Sequence, residues 1–169
     1  QSCLLLLGEL ALSVGAVASL CGVLGGMMMV TYGWNPWLSL VLCILLGLCF
    51  GAINGLIITK LKLNAMVVTI GMQGVYSGIN LVLTKGRAIT KVPEEIYVLG
   101  TGNLFEIPVP FLFTIGTLVL IVLLIKRTKF GRYVYAIGNS RDAAQILGVK
   151  TDNVRITVYA IVGGLSALA

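Results

Sequence analysis

Long apolar stretches, separated by short polar ones, dominate this chain of 169 residues. Each of the longest has the roughly 20 residues that a helix needs to cross the core of a bilayer. They cover residues 8–30, 37–59 and 65–84, a shorter one covers 109–125, and an incomplete one begins at Ile156. The pattern predicts an all-α fold, a polytopic transmembrane helical bundle with about five spans.

The composition agrees with an integral membrane protein. Hydrophobic residues make up 58% of the chain and charged residues 11%, against roughly 25% charged residues in soluble domains. The chain has no histidine and only six acidic residues. Zinc sites, histidine proton relays and most acid/base catalysis therefore lack their usual groups. We expect neither an enzyme nor a metal site.

The cysteines and the C-terminal end of the chain both lie in apolar sequence. The four cysteines lie inside apolar runs without CxxC spacing, and we interpret them as small buried hydrophobic residues. They are Cys3, Cys21, Cys43 and Cys49. The apolar run at the C-terminal end is too short to cross a bilayer. We therefore expect a piece of a longer protein.

Charge in the connecting loops predicts the orientation of the bundle. Lys60 and Lys62 lie in one loop, and residues 126–155 form a second loop in which basic residues outnumber acidic ones. Two spans separate these loops, so both can lie on the same side, which the positive-inside rule assigns to the cytoplasm. The loop over residues 84–108 is then external. Because the net charge of +6 comes from loops beside spans, we expect no nucleic-acid partner.

Small residues recur on one face of several spans. Hydrophobicity alone does little to associate helices in lipid, and ridges of small residues let two helix backbones approach closely. We interpret these ridges as helix-packing positions rather than ligand contacts. They comprise Gly15, Ser19, Gly22 and Gly26 in the first span, Gly47, Gly51 and Gly55 in the second, and Gly71, Gly74 and Gly78 in the third.

Polar residues of the third span lie on the face opposite its glycines. A polar stripe is costly against lipid, so it turns toward other helices or toward a water-filled path. Both roles remain open: hydrogen bonding between helices, or lining a path for a polar solute. The candidate path residues are Thr69, Gln73, Tyr76 and Asn80 in this span, together with Asn54 and Ser13.

The motif GELALSVG, residues 8–15, interrupts the first apolar run. Glycine and serine permit kinks, and non-helical backbone at membrane depth needs a lined cavity. The motif therefore predicts a break or a tight approach in the helix. Its acid, Glu9, is either a residue of the inner interface or a functional intramembrane group.

The external loop contains the sequence VPEEIYVLGTGN. Pro93 at a first helical position, followed by Glu94 and Glu95, predicts a short helix that ends at Gly100. Ordered loops of this length are often functional. A docking surface for an external partner and a plain connector are both possible.

A second short helix is predicted within the basic loop. Asn139 is placed to cap it, and Asp142 puts negative charge in the first turn, where the helix dipole favours it. Gly148 provides a C-terminal stop. Ala143 and Ala144 give the helix a flat surface. Because so short a helix is marginal alone in water, it needs a partner to pack on.

These motifs resemble a known family. Residues 142–148, DAAQILG, match the EAA-x-x-x-G loop of ABC importer permeases, and residues 126–149 resemble the sugar-type permeases that import ribose, xylose, galactose and autoinducer-2. Residues 12–15, 51–57 and 67–78 follow the same family in the same order. The resemblance covers nearly the whole chain. It departs where the family has an Asp before LSVG, since Ala11 stands there and Glu9 is a possible substitute.

The resemblance implies that residues 1–169 belong to one permease domain of a bacterial ABC importer in the cytoplasmic (inner) membrane. The permease works as a dimer of two permease copies, with an ATP-binding subunit and an extracytoplasmic sugar-binding protein as partners. No phosphate-binding loop occurs in this chain, so ATP and Mg are used by the partner subunit and this chain binds no cofactor. Residues 126–155 then form a cytoplasmic coupling loop, with contacts expected from Gly131, Arg132, Asn139, Asp142, Ala143, Ala144 and Gly148.

An ion-coupled secondary transporter of a polar solute is the alternative. Such a protein is also helical and glycine-rich, but it more often embeds a carboxylate or a histidine relay for the coupling ion. Here Glu9 is the candidate carboxylate. A membrane-embedded scaffold or enzyme is a third possibility, against which the lack of a catalytic constellation argues.

Overall fold

A computed structural model of the chain describes residues 2–87, 103–104 and 107–168. The described part is all-α apart from one two-residue antiparallel pair, β1 with β2, in which Asn103 lies opposite Pro108. The predicted external helix at residues 93–100 lies outside the described residues. The elements are α1 (Ser2–Leu5), α2 (Val14–Val30), α3 (Pro36–Lys60), α4 (Ala65–Thr84), β1 (Asn103–Leu104), β2 (Ile107–Pro108), α5 (Val109–Arg127), α6 (Lys129–Asn139), α7 (Arg141–Ile146) and α8 (Thr151–Leu168).

The apolar stretches of the sequence form the long helices. Within the described residues, α3 and α4 are long and apolar enough to cross a membrane, and α2 is a shorter apolar helix. The first span is shorter than predicted because α2 begins at Val14 and not at Gly8. The last begins earlier than predicted, at Thr151 and not at Ile156.

Local sequence signals account for the helix starts. Asn35 caps α3 by accepting a hydrogen bond from the backbone N–H of Trp37 (3.0 Å), with Pro36 in the first turn. Asn64 caps α4 by accepting one from Met66 (2.9 Å). The predicted break between α1 and α2 is present, and Gly8 adopts the positive φ (+73°) that glycine tolerates.

Helices α3 and α8 pack closely and antiparallel. A Cβ on Gly47 would lie 2.5 Å from the backbone oxygen of Gly163, and a Cβ on Gly55 would lie 2.9 Å from Cα of Ile156. A Cβ on Gly51 would likewise collide with the backbone carbonyl of Tyr159. The glycine ridge of α3 therefore brings the two backbones together, as small-residue ridges do in membranes.

The other glycine ridges have no such neighbours among the described residues. Nothing lies within 4 Å of a Cβ built at Gly15 or Gly22 in α2, whereas a Cβ on Gly25 would lie 2.6 Å from Sγ of Cys43. The ridge of α4 is open in the same way, so its packing role stays a prediction: Gly71, Gly74 and Gly78. The cysteine interpretation holds for Cys21 and Cys43, which are buried. It is wrong for Cys49, which is exposed, and Cys3 is half-buried.

The core divides into two clusters. One joins α1, α3, the start of α4, α6, α7 and α8 around fully buried side chains such as Leu4, Ile58 and Val158. The other joins α2 and α4 around Leu20, Cys21 and Tyr76. Helix α7 thus packs on the same core as the end of α3 and the start of α8.

Candidate functional site

Helix α7 and its flanks carry the residues expected to contact an ATPase. The hydroxyl of Ser140 caps α7 by accepting from the backbone N–H of Ala143 (3.3 Å). The predicted cap, Asn139, is wrong by one position because Asn139 still belongs to α6. The predicted stop is present: Gly148 has φ +78°, and its N–H donates to the carbonyl of Gln145 (2.9 Å).

The surface that α7 presents differs from the expected alanine pair. Ala143 is exposed, but Ala144 is 1% exposed and packs into the core. The predicted flat Ala-Ala surface is therefore wrong, since successive helix positions point in different directions. Ile146 and Leu147 are instead exposed to 86% and 78%. The sequence analysis missed them, although two large apolar residues in a polar loop were a signal.

Helix α7 is tied to the first turn of α8. The Gln145 side chain donates to the Thr151 hydroxyl (3.1 Å). The Val149 N–H donates to the Ala144 carbonyl (3.1 Å), which closes the C-terminal end of α7 just before α8 begins. An exposed ion pair links Arg141 to Asp152 at 3.2 Å. These contacts join α7 to α8 over a very short connection.

Two further predicted coupling residues lie on α6. Gly131 is buried, and a Cβ there would collide with the backbone carbonyl of Ile125. Glycine at this position therefore permits α6 to fold back against the end of α5. Arg132 is exposed beside it. The backbone of Asp142 lies in the first turn of α7.

The candidate path residues form hydrogen bonds among α2, α3 and α4. Asn54 donates to the Ser13 hydroxyl (3.1 Å) and accepts from the Tyr76 hydroxyl (3.0 Å), and all three residues are buried. Their polar groups therefore satisfy one another between helices. This is the arrangement that the hydrogen-bonding interpretation of the stripe predicts.

The remaining stripe residues divide between two environments. Thr69 is buried and accepts from the Leu12 N–H at the helix break (3.3 Å), while Asn80 donates to the Ser19 hydroxyl (2.8 Å). The Oδ1 atom of Asn80 has no hydrogen-bond partner among the described residues. Gln73 is exposed on α4. Its side chain therefore remains available to other groups.

A buried ion pair joins the helix break to α8. Arg155 and Glu9 form a salt bridge, with side-chain exposures of 5% and 16%. The Tyr159 hydroxyl donates to the second carboxylate oxygen of Glu9 (2.7 Å). The count of charges in the loops placed Arg155 in the basic loop, but Arg155 lies inside α8. The buried face that surrounds it was visible in the spacing of Val154, Val158 and Val162.

The cavities near these residues are small. One of about 10 Å³ lies between the helix break, α3 and α8, with Ala11, Asn54 and Tyr159 in its wall. That is room for about one water molecule. An apolar cavity of about 60 Å³ lies between α5, α6 and α8. Among the described residues, no group of three or more Cys, Asp or Glu side chains could hold a metal ion.

The amino-acid sequence is similar to those of known permease proteins. The chain is similar to the autoinducer 2 import system permease protein LsrC of Photorhabdus luminescens (40% identical over 158 residues, 93% of this chain and 47% of the relative). LsrC of Yersinia enterocolitica is 37% identical over 158 residues (93% of this chain, 43% of the relative), and LsrC of Escherichia coli is 36% identical over 157 residues (93% and 46%).

The match covers only part of the length of these relatives. The chain spans about half the length of the curated relatives it matches, as expected for a piece of a longer protein. No solved structure matches it. The sequence profile of the family described as "Branched-chain amino acid transport system / permease component" matches residues 3–169. The chain therefore belongs to this family of membrane-spanning permease components.

Proposed function

We propose that the chain is part of the permease subunit of a bacterial ABC importer that carries a sugar or a similar polar solute across the cytoplasmic membrane. Family membership and the similarity to autoinducer 2 import permeases support this function. Autoinducer 2 itself is the first solute to test. The permease acts as a dimer of two permease copies, and an extracytoplasmic binding protein delivers the solute to its outer face.

Helix α7 is the docking element for the ATP-binding subunit. The observation that carries this assignment is the apolar end of α7, where Ile146 and Leu147 stand almost fully exposed next to contacts that fix α7 to α8. Large exposed apolar residues on a rigid, polar-rimmed element are typical of a protein interface. Residues 126–155 thus form the cytoplasmic coupling loop. ATP and Mg are bound by the partner, and closure of two ATPase copies moves α7 as a unit.

The solute path runs along α4. The hydrogen-bonded group of Ser13, Asn54 and Tyr76 holds α2, α3 and α4 in register at its wall. Gln73 is exposed on the polar face of α4, opposite the open glycines of that helix. An amide that can both donate and accept suits a hydroxyl-rich solute.

The secondary-transporter alternative has less support. Glu9 is the candidate carboxylate for the coupling ion in that alternative. One of its oxygens forms the salt bridge with Arg155, and the other accepts a hydrogen bond from the Tyr159 hydroxyl. A carboxylate held in this way is already neutralised by a cation of the same chain. The contacts therefore favour a structural counter-ion over an ion-binding group.

The docking assignment is tested by exchanging Ile146 and Leu147 together for Glu in the full-length permease. Two carboxylates would have to be desolvated at the interface, so the ATP-binding subunit should no longer co-purify, while membrane insertion stays intact. Leu61→Glu is the control, because Leu61 is also a well-exposed apolar residue (62%) in the other positive loop. Undiminished co-purification of the double variant would remove α7 as the docking element.

A further inference from the structure

The Glu9 and Arg155 pair occupies a junction between two parts of the fold. Glu9 lies in the non-helical break between α1 and α2, and Arg155 lies in the second turn of α8. The pair is nearly closed to solvent, and Tyr159 completes the coordination of the carboxylate. A charged pair in this setting is costly to form, and breaking it leaves an uncompensated buried charge. It therefore holds the break firmly against α8.

On one side, the pair is linked to α7. Gln145 binds Thr151 at the start of α8, and Arg155 follows one turn after Thr151. A rigid helix transmits displacement of its first turn to the next turn. Any movement of α7 along or across the membrane surface therefore moves Arg155.

On the other side, the pair is linked to the polar contacts of the bundle. After Glu9, the Leu12 N–H binds Thr69 of α4, and the Ser13 hydroxyl binds Asn54 of α3. The break and the start of α2 are thus held between the ion pair and these contacts. Displacement of Glu9 changes the position at which α2 begins relative to α3 and α4.

We propose that Glu9 and Arg155 are positioning residues that couple α7 to the helix break, so that movement of the cytoplasmic element reaches the solute path. The inference rests on the proposed importer function and adds two residues to it. Contiguous packed and hydrogen-bonded elements are the physical basis of such coupling. The Nε and NH1 atoms of Arg155 are buried without a partner among the described residues, which leaves the guanidinium able to donate to a second partner when the helices shift.

Ala11 provides a way to test whether the carboxylate or its position is required. Ala11 and Tyr159 line the same small cavity beside the pair. A carboxylate at position 11 would therefore enter the cavity that Tyr159 also lines. Moving the acid from position 9 to position 11 should preserve the pair while changing which residue supplies it.

The experiment measures stimulation of ATP hydrolysis by the loaded binding protein, per assembled complex, with the full-length permease in proteoliposomes. Glu9→Gln should lower the stimulation by about tenfold, within the range found for residues that couple two sites. Adding Ala11→Asp to that variant should restore it to within about twofold. Lys60→Gln is the control, since it removes an exposed charge at the end of α3, outside the contacts that join α7 to α8, and should leave stimulation unchanged.

Assembly and coupling are distinguished by the design. Stimulation of Glu9→Gln equal to that of the unaltered complex, or no recovery with Ala11→Asp, would overturn the proposal. If Glu9→Gln does not assemble, the paired exchange of Glu9→Leu with Arg155→Met removes both charges without leaving one unpaired. Normal stimulation in that variant would overturn the proposal too. Absence of stimulation in the unaltered complex would instead reject the importer function itself.

Discussion

Replacing Gly51 with Ala should destabilise the bundle, because this position is where α3 and α8 touch through their backbones. The added Cβ would collide with the carbonyl of Tyr159 and lie 3.0 Å from Cα of Ala160. Neither atom belongs to a side chain that can rotate away. Relief therefore requires α8 to move outward along its contact with α3.

The size of the effect follows from two opposing contributions. Overpacking a well-packed contact costs about 1–3 kcal/mol, whereas Ala is favoured over Gly in a helix interior by about 1 kcal/mol. Gly22→Ala in α2 is the matched control. It brings the same helix gain, but nothing among the described residues lies within 4 Å of its Cβ. The difference between the two variants therefore isolates the collision, about 1–3 kcal/mol.

Thermal unfolding of the full-length permease in detergent is a suitable assay. With about 2–4 °C of Tm per kcal/mol for chains of 150–250 residues, Gly51→Ala should melt at least about 2 °C below Gly22→Ala. Equal melting temperatures would show that α3 and α8 do not approach through Gly51. The close antiparallel packing described above would then be incorrect.

Two further predictions concern the polar residues of the bundle. Asn54→Leu leaves the buried Ser13 hydroxyl without its donor and deprives Tyr76 of one acceptor. The full-length permease should therefore lose about 1–3 kcal/mol of stability, measured as a lower Tm. An unchanged Tm would contradict the hydrogen-bonding role. Gln73→Leu at an exposed position should change stability by less than about 0.5 kcal/mol yet reduce solute uptake in vesicles, and normal uptake would remove Gln73 from the path.

Hydrophobic pattern and local signals predicted most of the helices. Asn35 with Pro36 and Asn64 mark helix starts in the sequence, and both are observed. Gly8 and Ser13 correctly predicted the break before α2. The cap of α7 was misplaced because Asn139 and Ser140 are both good caps, and only the end of α6 decides between them.

Contacts between distant residues could not be predicted in this way. Glu9 and Arg155 are far apart in the chain, and charge counting treats an Arg near a basic loop as part of it. Likewise, Ala144 belongs to the same Ala-Ala pair as Ala143, and only the packing of α7 on α8 shows which one is buried. Helical periodicity identifies a face, but the neighbour of that face depends on tertiary structure.

The central claim is that this permease is driven by an ATPase that docks on α7. Its most direct test is uptake of labelled autoinducer 2 into proteoliposomes that contain the full-length permease, with and without the ATP-binding subunit and the binding protein. The account predicts uptake only when both partners and ATP are present, and its loss when Ile146 and Leu147 are exchanged for Glu. Uptake that proceeds without the ATP-binding subunit and follows an imposed ion gradient would contradict it.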